Sequence, residues 1–169
     1  MEDKKQKTID YINEVIRPPR KEFGGLPTCP FAGPELDKDN LMIDVISENQ
    51  NLDFLIDKFI NSKYNSALLI LDLSNDTTIT GDETSAFASF VDKLMESKGI
   101  GHMKAVCFNP NDTISTNDYN PRQKAPYFLI NIAEKKELYE AYKSLTKTKY
   151  YDSMDDIYKG FLKIGGKNA

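Results

Sequence analysis

The chain has 169 residues, 28% of them charged and 40% hydrophobic, and a formal net charge of -4. That length fits one domain with a single sizeable core, and the composition excludes a disordered tail, a collagen-like repeat and a disulfide-rich scaffold. No apolar run approaches the ~18 residues that a membrane span needs, so no membrane partner is expected, and the acidic balance argues against nucleic acid.

Chain order begins with an amphipathic helix over 1–17, in which Ile9, Ile12, Val15 and Ile16 share a stripe until Pro18 and Pro19 stop it. An irregular segment over 20–39 follows, broken by Gly24, Gly25, Pro27, Pro30, Gly33 and Pro34 and pinned to the body by Phe23, Leu26, Cys29 and Phe31. Residues 41–46 read as a strand. Residues 51–61 read as a helix that buries Leu52, Leu55, Ile56, Phe59 and Ile60, with Asn49 or Asn51 as its cap. The run ALLIL at 67–71 has no polar alternation, which predicts a strand buried on both faces. Thr80 and Glu83 have the spacing of a capping box for a helix carrying Phe87, Phe90, Val91, Leu94 and Met95, closed by Gly99 and Gly101.

Strands over 103–108 and 127–132 flank a long polar loop, Asn109 to Ala125. A helix over 134–147 packs Leu138, Ala141, Tyr142 and Leu145, and a helical extension over 150–165 carries Ile157, Phe161 and Leu162. The whole predicts one α/β domain: a four-stranded mixed sheet flanked by helices, with a βαβαββα core and added terminal helices. That order matches a thioredoxin-like arrangement, with Pro126 where such folds place a cis proline; a flavodoxin-like open sheet is the alternative.

Leu26-Pro27-Thr28-Cys29-Pro30-Phe31-Ala32 resembles the LCPFA segment of a bacterial family defined only as a domain of unknown function, DUF1415. Glu83 to Phe90 is similar to its acidic–aromatic helix start, Phe108-Asn109-Pro110 to its Phe-His-Pro, and Asn120 to Leu129 to its Asn-Arg-Ser-Pro-Tyr-Pro stretch. The resemblance spans about residues 20 to 140 and implies no assigned reaction. Asn109 stands where the family pattern has histidine, so no base or metal role carries over to it. Arg122 lies near the family's arginine.

Cys29 is the sharpest catalytic candidate, a thiol in a loop of restricted backbone, but a nucleophilic thiolate needs a base, a cation or a helix N-terminus beside it. His102 is the only histidine, and its place between a helix stop and a strand start fits a surface residue. Cys29 and Cys107 form no C-x-x-C motif, which argues against dithiol chemistry and zinc; a disulfide between them stays open. Asn109, Arg122, Lys124 and Tyr127, with Arg20, form a candidate binding set for a small anionic ligand. Asp72, Asp76, Asp82 and Glu83 lack an EF-hand ladder, and capping and solvation account for them, so neither metal nor cofactor is expected.

The start, MEDKKQKTID, lacks the apolar region of a secretory signal, so a cytoplasmic location is expected. Three functions follow in order: a small-molecule or partner-binding module with its pocket between the CPFA segment and the loop before the last strand; a cysteine-dependent enzyme acting through Cys29 on a small carbonyl, thiol or acyl substrate; and a structural subunit. A homodimer through the terminal helices is a further expectation.

Overall fold

The computed structural model describes residues 1–47, 50–72, 79–112 and 119–153. The first helix, α1 (Glu2–Tyr11), widens into a π-helical turn at Ile12–Ile16, closed by the Arg17 N–H donating to the Ile12 carbonyl at 2.9 Å. Its buried side includes Thr8 and Tyr11 as well as Ile12 and Ile16. The segment expected to be wholly irregular contains regular pieces. Pro19–Arg20 (β1) pairs antiparallel with Leu26–Pro27 (β2), and a short helix, α2, runs over Ala32–Asp37. Arg17 holds Asp37 through two hydrogen bonds, at 3.0 and 2.8 Å, which ties α2 to the end of the first helix.

The main sheet is built from β3 (Leu41–Ile46), β4 (Ser66–Leu71), β5 (Met103–Phe108) and β6 (Phe128–Glu134), in the order β3-β4-β6-β5. β3 and β4 are parallel and the other two pairings are antiparallel, so the sheet is mixed. Between the strands lie α3 (Leu52–Ile60) and α4 (Gly81–Ser97), and α5 (Lys135–Leu145) follows the last. The βαβαββα order is therefore the observed one. The cis proline is not: every peptide among the described residues is trans, including that of Pro126.

Alternation along the strands sends side chains to two cores. One face packs Met42, Leu69, Ile130 and Cys107 against Leu55, Ile56, Phe59, Val91 and Met95 of α3 and α4. The other packs Val45, Ile70 and Leu129 against Tyr11, Ile12 and Ile16. β4 is buried along both faces, as its uninterrupted apolar run predicts. The two cysteines sit on opposite faces and are free thiols, so the sheet itself separates them.

The expected caps form. Asn51 accepts from the Phe54 N–H at 2.9 Å, and Thr80 and Glu83 make a reciprocal capping box. Two expected core residues face outward instead: Ile60, and Phe90 at 55% exposed. β5 is an edge strand, and Asp92 of α4 covers it by accepting from the Ala105 N–H at 2.8 Å, which occupies a group otherwise open to another strand. β6 runs to Glu134, two residues beyond the expected end, because Ala133 and Glu134 pair with Lys104 and Met103. The C-terminal extension is described only to Ser153; Ile157, Tyr158, Phe161 and Leu162 lie outside the described residues, as do Asn49 and Asp76.

Candidate functional site

A cleft of about 630 Å3 lies against the second face of the sheet. Its floor is the sheet itself, through Leu68 of β4, Val106 and Phe108 of β5 and Leu129 and Asn131 of β6. One wall comes from Tyr11, Ile12 and Ile16, and another from Leu138 and Ala141 of α5. The expected apolar stripe of α5 is thus only partly packed. Leu145 is buried against Phe23, Tyr119 and Tyr150, whereas Leu138 and Ala141 stay half-buried because they face the cleft.

The two segments expected to border a pocket both reach it. Thr28, Cys29, Phe31 and Ala32 line one side, and Asn120, Pro121 and Arg122 another. Tyr150 secures this corner by donating its hydroxyl to the Thr28 carbonyl and stacking on Phe23 at 5.1 Å between ring centroids. The Tyr11 hydroxyl donates to the Pro121 carbonyl at 2.9 Å, which fixes the loop to the first helix.

Of the residues singled out from the sequence, Cys29 and Arg122 line the cleft; Arg20, Asn109, Lys124 and Tyr127 do not. Arg122 donates to the buried carboxylate of Asp112 at 2.9 Å. Arg20 places its guanidinium 4.0 Å above the Tyr119 ring, and the Lys124 ammonium lies 4.9 Å from the same centroid. Both cations are thereby held on an aromatic face. Tyr127 packs half-buried at the margin of the second core. Asn109 is fully buried; its amide donates to the Ile79 carbonyl at 2.6 Å and the Thr84 hydroxyl at 2.8 Å, while its oxygen accepts from the Asn111 N–H. This is a bracket between β5 and α4, with every polar atom of the side chain engaged.

Burial pushes the Cys29 thiol above its ordinary value of 9.0, against a smaller pull from the Phe31 and Ala32 amides. Cys107, within the other core, is pushed up to about 12, first by burial and then by the charge of Asp92. His102 is exposed before β5, its carbonyl accepting from the Lys135 N–H, and it does not line the cleft that Cys29 faces. A Cys107→Ala protein is therefore expected to alkylate with iodoacetamide more slowly than free cysteine at pH 7.5, with the rate rising only as pH passes 9. An alkylation midpoint well below 8.5 would contradict this arrangement.

Among the acidic residues after β4, Asp72 pairs with Lys4 and Glu83 completes the capping box. No group of three metal-ligating side chains occurs among the described residues. Nor is any helix among them long and apolar enough to cross a membrane.

Sequence reasoning missed Asn131. Register places it in a cross-sheet row with Ile43, Leu68 and Val106, an amide between aliphatic neighbours on a strand one removed from the edge. The signal was present, since YFLINI interrupts its apolar run there, but strand alternation alone does not reveal which face opens onto a cleft. Comparison with known proteins finds no matching family model, no matching curated protein and no matching solved structure.

Proposed function

We propose that this protein is a small-molecule-binding module whose ligand occupies the cleft between the sheet, α5, the CPFA segment and the loop before β6. The observation that carries this reading is the cleft itself. Its volume of about 630 Å3 lies within the ~300–1,000 Å3 of small-molecule sites, and its surface is mostly apolar with a few polar groups. One of those groups supports the reading further: Asn131, half-buried on β6, lines the floor of the cleft. A polar ligand atom beside an apolar body answers its amide.

A reaction at Cys29 ranks second: the Phe31 and Ala32 amides at the start of α2 pull the thiol down, but burial outweighs them, Arg122 is engaged by Asp112, and no histidine lines the cleft. Distant kinship with DUF1415 belongs to the same proposal. The segments that carry the likeness lie close together: Asn109 bonds Thr84, Phe108 pairs with Leu129, and Cys29 packs in the same cluster as both. A cytoplasmic location belongs to it too, consistent with two free thiols.

The test is a neutral environment-sensitive dye, Nile red, titrated into wild type and Ala141→Trp. Ala141 faces the cleft from α5, so an indole there fills the space without entering the sheet. Wild type is expected to enhance the dye's fluorescence, and the variant to bind at least about tenfold more weakly at an unchanged unfolding midpoint. Equal enhancement by both proteins would place the dye elsewhere and remove the reading.

A further inference from the structure

The apolar floor of the cleft carries a polar spot made by two side chains. Ser66 opens β4 and is only 8% exposed; its N–H donates to the Asn40 carbonyl at 3.3 Å, whereas its hydroxyl has no partner among the described residues. Asn131 of β6 lines the same floor, and its carboxamide has no partner there either. Register brings the two together. Leu68 is the partner of Asn131, and Ser66 stands two residues before Leu68, so alternation sends all three side chains to the cleft face. The diagonal from Ser66 to Asn131 is about 7–8 Å at the backbone, short enough for one ligand group to touch both side chains. Ala133, the next residue on that face of β6, sets only a methyl group beside them.

A hydroxyl this deep is costly when unanswered, and Leu41, Leu68 and Ala133 around it are aliphatic. Arg122, the one cation lining the cleft among the described residues, is paired with Asp112 at 2.9 Å, so the open hydrogen-bonding groups of the floor are neutral ones. The Asn131 carboxamide presents a donor beside an acceptor. A carboxylate would set an acceptor against its Oδ1, and an ammonium would set a donor against its Nδ2. A cis amide, with N–H and C=O on one edge, answers both atoms at once, whichever way the Asn131 amide is turned. Its carbonyl keeps a second lone pair for the Ser66 hydroxyl.

We infer that the cleft takes a neutral lactam, with its apolar body against Leu68, Val106 and Leu129 and its cis-amide edge on Asn131 and Ser66. This rests on the proposed binding role, and the test separates the two. The full-length protein is titrated by ligand-observed NMR with three probes of similar body: dihydrocarbostyril, its N-methyl derivative and tetralin. The first has the whole cis-amide edge, the second only the acceptor, and the third neither. Dihydrocarbostyril is expected to bind about tenfold more tightly than its N-methyl form. Asn131→Leu, an aliphatic side chain in an aliphatic row, is expected to lower the ratio of lactam to tetralin affinity about tenfold, and Ser66→Ala about threefold. Ser66→Ala removes a single oxygen and carries the test alone where Asn131→Leu fails to fold.

Equal affinity for the lactam and its N-methyl form overturns the cis-amide preference and leaves the cleft as an apolar site. A lactam-to-tetralin ratio that either folded variant leaves unchanged overturns it by assigning the preference to other groups. Lactam binding that survives Ala141→Trp overturns it by placing the lactam outside the cleft. No binding by any probe overturns both the preference and the binding role.

Discussion

Replacing Asp44 with alanine is expected to destabilise the protein by about 3 kcal/mol, because it removes a buried carboxylate with three charge-assisted contacts. Asp44 sits within the edge strand β3 and is 3% exposed. Its carboxylate accepts from the Lys58 ammonium at 2.5 Å and the Val45 N–H at 3.0 Å, and pairs with Lys5 at 3.2 Å. Lys58 belongs to α3 and Lys5 to α1, helices that pack on opposite faces of the sheet. One side chain thus ties both helical layers to the sheet edge. The lysines keep partial access to water, so the loss stays near the lower end of that for a broken buried pair.

The pH dependence identifies this contribution. Burial alone would raise the Asp44 carboxyl, but Lys58, the Val45 amide and Lys5 together hold it below its ordinary value of 3.8. A depressed folded-state value means that the unfolded chain takes up the proton first as pH falls. The stabilisation is therefore complete well above pH 4 and is lost as pH drops through the folded-state value. Urea unfolding from pH 7 down to pH 3 is expected to show a large gap between wild type and Asp44→Ala that narrows below about pH 4. A gap independent of pH would assign the loss to packing rather than to charge.

Asn109→Ala is expected to cost about 2–3 kcal/mol, the loss of one buried amide and the orphaning of its partners. The Ile79 carbonyl, the Thr84 hydroxyl and the Asn111 N–H all use this side chain, at a position with 0% exposure. Thr84 lies in the first turn of α4, one residue past the capping-box Glu83, so the bracket holds the start of α4 to the end of β5. Asn109→Asp keeps the acceptor for Asn111 but cannot donate to the Ile79 carbonyl, so it is expected to be destabilising as well. An unfolding free energy from urea titration of Asn109→Ala within about 0.5 kcal/mol of wild type would show that the bracket contributes little. The resemblance to DUF1415 implies a histidine here; in this chain the position carries a structural amide.

Several parts of the architecture were readable because they depend on near neighbours. Strand 41–46 appears at those bounds, and Leu55, Ile56 and Phe59 form the buried stripe of α3 that their spacing predicts. The capping box is a contact between residues three apart, so Thr80 and Glu83 announce it directly. The pairing of β1 with β2 was hidden because two-residue strands containing prolines leave no periodic signal. Asp44 was passed over as one polar residue in a strand, since its lysines lie on two separate helices, 39 positions upstream in one case and 14 downstream in the other.

The candidate site divides the same way. Cys29 and Arg122 were picked out from a loop rich in proline and a second loop of unusual length, and both line the cleft. Their chemistry was not readable. Whether a thiol is raised or lowered depends on what covers it, and whether a guanidinium is free for a ligand depends on a carboxylate such as Asp112. The α/β class, the order of elements and the helix caps were legible from the residues alone, because hydrophobic period and capping are local. Strand order, the engagement of Arg122 and Asn109, and the cleft that brings Cys29 and Arg122 onto one surface emerge only from tertiary packing. Each of those depends on which distant segments share a face, and a periodic pattern says which way a side chain points without saying what it meets.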